Sequence, residues 1–89
     1  MKEYNIEGKK MTDKVRAYTH LTHRLELDEG AIQGTDDLWD ALMAIDRTTA
    51  INFYDKDAML DQLGQRGETI LKAFTDAANG NDDIILEID

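Results

Sequence analysis

Tyr4 and Ile6 stand between polar neighbours, a period of two that predicts a short opening strand. Gly8-Lys9-Lys10 closes it as a turn. The period then changes. Val15, Tyr18, Leu21 and Leu25 recur at intervals of three and four, the spacing of an amphipathic helix ending near Leu25, with Thr12 as its expected N-cap. Residues 28–34 contain Gly30 and Gly34 and read as a loop. Thr35 is the expected cap of a second, short helix running to about Ala44.

Thr49–Tyr54 is rich in strand formers and reads as a central strand. Asp55 is the expected cap of a third helix to about Leu63, with Met59, Leu60 and Leu63 as its apolar stripe. Gly64 and Gly67 mark a helix–helix turn. In the fourth helix Ile70, Leu71, Phe74, Ala77 and Ala78 draw one buried face, and Asn79-Gly80 is an expected left-handed stop. Ile84–Ile88 reads as the last strand, its Ile-Ile-Leu run predicting burial on both faces.

The order is therefore β-α-α-β-α-α-β. Helical crossovers join parallel strands with a right-handed sense, so the predicted fold is α/β: a small three-stranded parallel sheet packed with four helices. Eighty-nine residues without linker, repeat or low-complexity stretch read as one domain, 1–89.

Charge narrows the function. Ten Lys and Arg against nineteen Asp and Glu give a formal charge of −9, which disfavours nucleic acid and anionic membranes as partners and favours a basic protein. The chain has no cysteine, serine or proline, which removes disulfides, thiolate chemistry, serine hydrolysis and serine-tethered prosthetic groups. Met1-Lys2-Glu3 opens without an apolar leader, and no run of eighteen apolar residues occurs, so a cytoplasmic protein is expected.

The negative charge is segregated. Residues 25–46 hold seven acids (Glu26, Asp28, Glu29, Asp36, Asp37, Asp40, Asp46) and no Lys or Arg, whereas residues 1–24 carry six bases. At 100° per residue, Leu38, Ala41, Leu42 and Ile45 form the core side of the second helix. Asp36, Asp40 and Met43 fall opposite, with Trp39 at the margin. Asp36 and Asp40 are a like-charge i,i+4 pair costing a helix roughly 0.2–0.5 kcal/mol, and Asp40 is too far from the N-terminus for much relief from the helix dipole. An aromatic ring among uncompensated carboxylates suits a surface that meets an external cation. The plainer alternatives are a solvated acidic face, a core tryptophan, and an Asp40 that caps or pairs within the fold.

Asp36-Asp37-Leu38-Trp39-Asp40-Ala41-Leu42 resembles the Leu-Asp-Ala-Leu-Trp-Asp-Ala-Leu signature of the barstar family, intracellular inhibitors of small basic secreted ribonucleases. Leu25-Glu26-Leu27, Ile70-Leu71-Lys72-Ala73-Phe74-Thr75-Asp76-Ala77 and the final Ile-Ile-Leu extend the resemblance over nearly the whole chain. It implies the same three-stranded, four-helix fold and a 1:1 complex in which a carboxylate occupies the position of an RNA phosphate. By that resemblance Asp40 reaches the nuclease's catalytic cations, Asp36 and Asp76 are rim acids, and Trp39, Met43, Ala44 and the loop residues Gly30, Ala31, Gln33 and Gly34 line the contact. The free protein is then expected to be a monomer without cofactor or metal. The loop departs from the family's Tyr-Tyr-Gly-x-Asn, reading Gly30-Ala31-Ile32-Gln33-Gly34, and Met43-Ala44-Ile45 replaces a Thr-Gly-Trp-like run. A divergent nuclease or another basic toxin is therefore an open alternative for the target.

Other chemistry fits less well. His20 and His23 are three apart on the first helix but lack a clear third ligand. Asp55-Lys56-Asp57 opens like a calcium loop, yet Leu60 stands where glycine is required. Gly64-x-x-Gly67 lacks a phosphate-binding Lys, and Glu68 would repel phosphate. An enzyme is not expected. Gly34-Thr35-Asp36-Asp37-Leu38 resembles the Gly-x-Asp-Ser-Leu of acyl carrier proteins, but Asp37 replaces the attachment serine and the strands conflict with an all-helical bundle. A general acidic decoy that mimics nucleic acid is the remaining alternative, with dispersed contacts and no dominant residue.

Overall fold

The computed structural model describes residues 1–89 and places Thr49–Tyr54 (β2) between Lys2–Glu7 (β1) and Ile84–Ile88 (β3). Both pairings are parallel, with Tyr4 beside Ile51 and Ile51 beside Leu86, then Ile6 beside Phe53 and Phe53 beside Ile88. A 3-10 turn, Gly8–Lys10, and helices Lys14–Arg24 (α1) and Thr35–Met43 (α2) connect β1 to β2. Helices Lys56–Leu63 (α3) and Gln65–Gly80 (α4) connect β2 to β3. The fold is the α/β arrangement expected, three parallel strands with four helices.

Register partners in a sheet share a face, so the helix-side face carries Tyr4, Ile6, Ile51, Phe53, Ile84, Leu86 and Ile88. Ile6, Ile51 and Phe53 are buried there against Leu21, Leu38, Leu42, Ile70 and Phe74. Phe53 meets Phe74 edge-on at 5.3 Å and 79°, joining the central strand to α4. The other face carries no helix. Glu3, Asn5, Asn52, Ile85 and Glu87 project from it and none is buried; small Ala50, between the two outer strands, is hidden by its neighbours.

Several local expectations are corrected. Ile85 is 49% exposed, because β3 is an edge strand with helices over only one face. Val15 is 73% exposed, and α1 instead buries Ala17, Tyr18, Leu21 and Thr22. Asp13, not Thr12, caps α1, its carboxylate accepting from the Arg16 N–H at 2.9 Å. Gly34, not Thr35, is the N-cap of α2, without a side-chain bond. Asp55 does precede α3, but it is left-handed (φ 57°) and its side chain caps nothing. Its carbonyl lies so close to Gly8 that a Cβ there would come within 2.1 Å of it.

Gly64 alone makes the α3–α4 turn, and Gly67 lies inside α4, where a Cβ would stand 3.2 Å from the Met59 carbonyl oxygen. The two helices are in close backbone contact there. The expected left-handed stop at Asn79-Gly80 is absent: α4 runs through Gly80 and ends at Asn81 in an extended conformation (φ −135°). Asn81 explains the difference. Its amide donates to the carbonyls of Leu42 and Ile45 at 3.1 and 2.9 Å, and its side-chain oxygen accepts from the Asp83 N–H at 3.0 Å. No helix is long and apolar enough to cross a membrane.

Candidate protein-binding face

The orientation of α2 follows from two leucines. Leu38 and Leu42, one turn apart, are fully buried and fix one side of the helix to the core. Asp36, Asp37 and Asp40 are thereby left in solvent, and Trp39 is 37% exposed beside them. No Lys, Arg or His nitrogen lies within 4.0 Å of the three carboxylates; of the seven acids in residues 25–46 only Glu26 is ion-paired, with Lys2. Asp40 thus has neither of the internal roles open to it, cap or partner of a base.

The preceding loop is held from both ends. Ile32, 3% exposed, plugs it into the core. The Gln33 N–H donates to the Asp37 carboxylate at 3.0 Å, and the Gln33 amide donates to the Gly30 carbonyl at 3.2 Å. Gly30 is left-handed (φ 78°), and a Cβ there would meet the Gln33 side-chain nitrogen at 3.9 Å. Gly30, Ala31 and Gln33 are exposed and Gly34 is half-buried, all four adjoining the N-terminus of α2. The anchoring role of Ile32 is not among the sequence-based expectations, although a lone aliphatic between glycines signals a segment tied to the core.

Two expected positions differ in character from Asp40. Met43 is half-buried, not free on the acidic side: it packs toward the end of α4, where a Cβ on Gly80 would stand 3.5 Å from its terminal methyl. The flexible thioether folds inward there, at a distance that would leave even a Cβ in ordinary van der Waals contact with it. Asp76 is exposed but already paired with Lys72 at 2.8 Å, one helical turn earlier. That hydrogen bond raises the Lys72 pKa. Asp76 in turn sits one turn before Gly80, the residue of α4 that meets Met43. Ala44 is exposed just past the end of α2, its N–H donating to the Asp40 carbonyl at 3.0 Å.

The two histidines do not converge. The His20 imidazole accepts the Glu7 N–H at 3.0 Å, while His23 lines a cleft between α1 and the 28–34 loop. What α2 offers is an array of acceptors on a rigid helix, suited to the paired N–H groups of a guanidinium.

A family model described as Barstar (barnase inhibitor) matches residues 1–88. The chain belongs to the barstar family. Among curated proteins no sequence matches significantly. The barstar match takes in every strand and helix, including α2 and the loop before it. Besides Ile32, sequence reasoning missed Asn81, which holds the C-terminal end of α2 in this barstar fold. An asparagine two residues after another asparagine at a helix end carries no signal of which distant carbonyls it meets.

Proposed function

We propose that this barstar-family protein binds the active-site cleft of a small basic ribonuclease in a 1:1 complex and blocks it, with Asp40 standing in for an RNA phosphate. The reading is carried by one observation: Asp36 and Asp40 are exposed beside Trp39, without a cation, on a helix whose opposite side is fully buried. A nuclease cleft already holds donors aimed at an anion, so a pre-oriented carboxylate binds without reorganising either partner. The acidic surface, with its formal charge of −9, accelerates encounter with a cationic target. Gly30, Ala31, Gln33, Gly34, Trp39 and Ala44 complete the contact, and Met43 supports it from beneath. Asp76 contributes at the rim, to a smaller extent because Lys72 competes for it.

Inhibition of barnase by the intact chain, compared with Asp40→Ala, tests the proposal. Loss of one member of a desolvated ion pair costs about 3 kcal/mol, on the order of a hundredfold in affinity. Undiminished inhibition by the variant would reject the assignment. Weak losses spread evenly over all surface acids would favour the acidic-decoy alternative.

A further inference from the structure

A pocket of about 200 Å³ opens where the C-terminal end of α2 meets β1. All seven residues that line it are hydrophobic. Leu25 and Leu42 form a buried floor, half-buried Tyr4, Leu27 and Ile45 the walls, and exposed Ala44 the lip. An apolar cavity of roughly 150 Å³ accepts a benzene-sized group, so the space suits one aromatic or large aliphatic side chain.

The margins of the pocket differ in charge. On the β1 side the charges are balanced: Lys2 pairs with Glu26 and lies 5.6 Å from the Tyr4 ring centre, while Asp46 and Arg47 share the adjoining groove. On the α2 side, Ala44 comes one turn after Asp40, which has no cation within 4.0 Å. Asp46 likewise has no cation within 4.0 Å but shares its groove with Arg47, so a side chain seated in the pocket meets uncompensated negative charge on the α2 side only.

We infer that this pocket receives an apolar side chain of a basic partner protein, one adjacent to a Lys or Arg that reaches Asp40. The inference rests on the reading of Asp40 as partner-facing and adds what the carboxylates alone lack, a desolvated anchor. Residues 30–34 contain no aromatic side chain. Beside Trp39, then, a second anchor at this interface is supplied by the partner and the hollow by this chain.

Two blocked dipeptides, acetyl-Phe-Arg-amide and acetyl-Phe-Glu-amide, titrated into the full chain give the test, read by NMR at Tyr4, Leu27 and Ile45. Saturable shifts at these residues are expected, with the Arg peptide bound about five- to tenfold more tightly than the Glu peptide. In Asp40→Ala that preference should vanish while the shifts persist. Ala44→Phe, at an exposed position, should plug the mouth and abolish them. No saturable shift at Tyr4, Leu27 and Ile45, or equal affinity of the two peptides for the unaltered chain, overturns the inference. The peptides report on the pocket without any nuclease. Failure of the inhibitor reading would show itself separately, as intact barnase inhibition by Asp40→Ala.

Discussion

The side-chain amide of Asn81 donates to the Leu42 carbonyl at 3.1 Å, tying the turn between α4 and β3 to the end of the helix that carries Asp40. A second bond, to the Ile45 carbonyl at 2.9 Å, closes the link. Residues 39 apart in sequence thus share one hydrogen-bonded corner: the Leu42 carbonyl, which also accepts the Ile45 N–H at 3.2 Å, gains a second donor, and the Ile45 carbonyl just beyond the helix gains one. Asn81→Ala should lower stability by about 1–2 kcal/mol, a fall in Tm of roughly 5–15 °C. Asn81→Asp keeps the acceptor for the Asp83 N–H but turns a carboxylate toward two carbonyls, and should be at least as harmful. Thermal unfolding of both variants checks this; an unchanged Tm in Asn81→Ala would mean the corner is held by packing alone.

Stability and binding should separate along α2. Leu42 is fully buried, so Leu42→Ala should cost about 2–5 kcal/mol through the cavity it leaves. Asp40→Ala removes the repulsion from Asp36 and should leave the fold intact or stabilise it by about 0.2–0.5 kcal/mol. Urea unfolding paired with barnase binding reads both effects. If Asp40→Ala unfolded the protein, the carboxylate would have a structural partner and its exposed role would be lost.

Gly8 should be the least replaceable glycine. Its α-carbon faces the Asp55 carbonyl, and a Cβ would approach that oxygen to 2.1 Å, so backbone on one side or the other must move. Gly8→Ala is expected to cost about 3 kcal/mol or more. Gly67→Ala, with a closest approach of 3.2 Å, should be milder. Equal melting temperatures for the two variants would show that the β1 turn yields more readily than its packing suggests.

The division of α2 into a core side and an acidic side was legible because Leu38 and Leu42 carry a helical period that tertiary packing left undisturbed. The strand order was legible for a similar reason, since Thr49–Tyr54 is the most strand-prone segment and takes the centre. Edge position is different. Ile85 looks as buried as Ile84 in sequence, and only the absence of a layer over one face exposes it. Met43 shares a helical stripe with Asp36 and Asp40, yet its side chain turns toward Gly80, a contact set by how α2 and α4 cross. The Lys72–Asp76 pair was within reach, since its i,i+4 spacing is visible in the chain.

Acid should weaken the joint between α1 and β1 before it touches the carboxylates. The His20 imidazole accepts the Glu7 N–H at 3.0 Å and has its pKa lowered, first by burial and then by Arg24, with Lys10 and His23 adding to the effect and Glu7 opposing it. In the unfolded chain the same imidazole titrates at about 6.5. As pH falls from about 6.5 toward the folded-state value, the unfolded chain binds the proton first, so stability declines across that window. Protonation within the fold also destroys the acceptor. Glu7 acts at lower pH: its pKa is lowered, chiefly by its hydrogen bond with Lys10, so the stability it confers is lost only as pH falls from about 4.5 through its folded value. His20→Gln retains a side-chain acceptor but does not titrate. Urea unfolding from about pH 7.5 to about pH 5 should therefore show a decline for the unaltered protein and a flatter profile for the variant. Coincident profiles would show that the Glu7–His20 bond contributes nothing to the pH dependence.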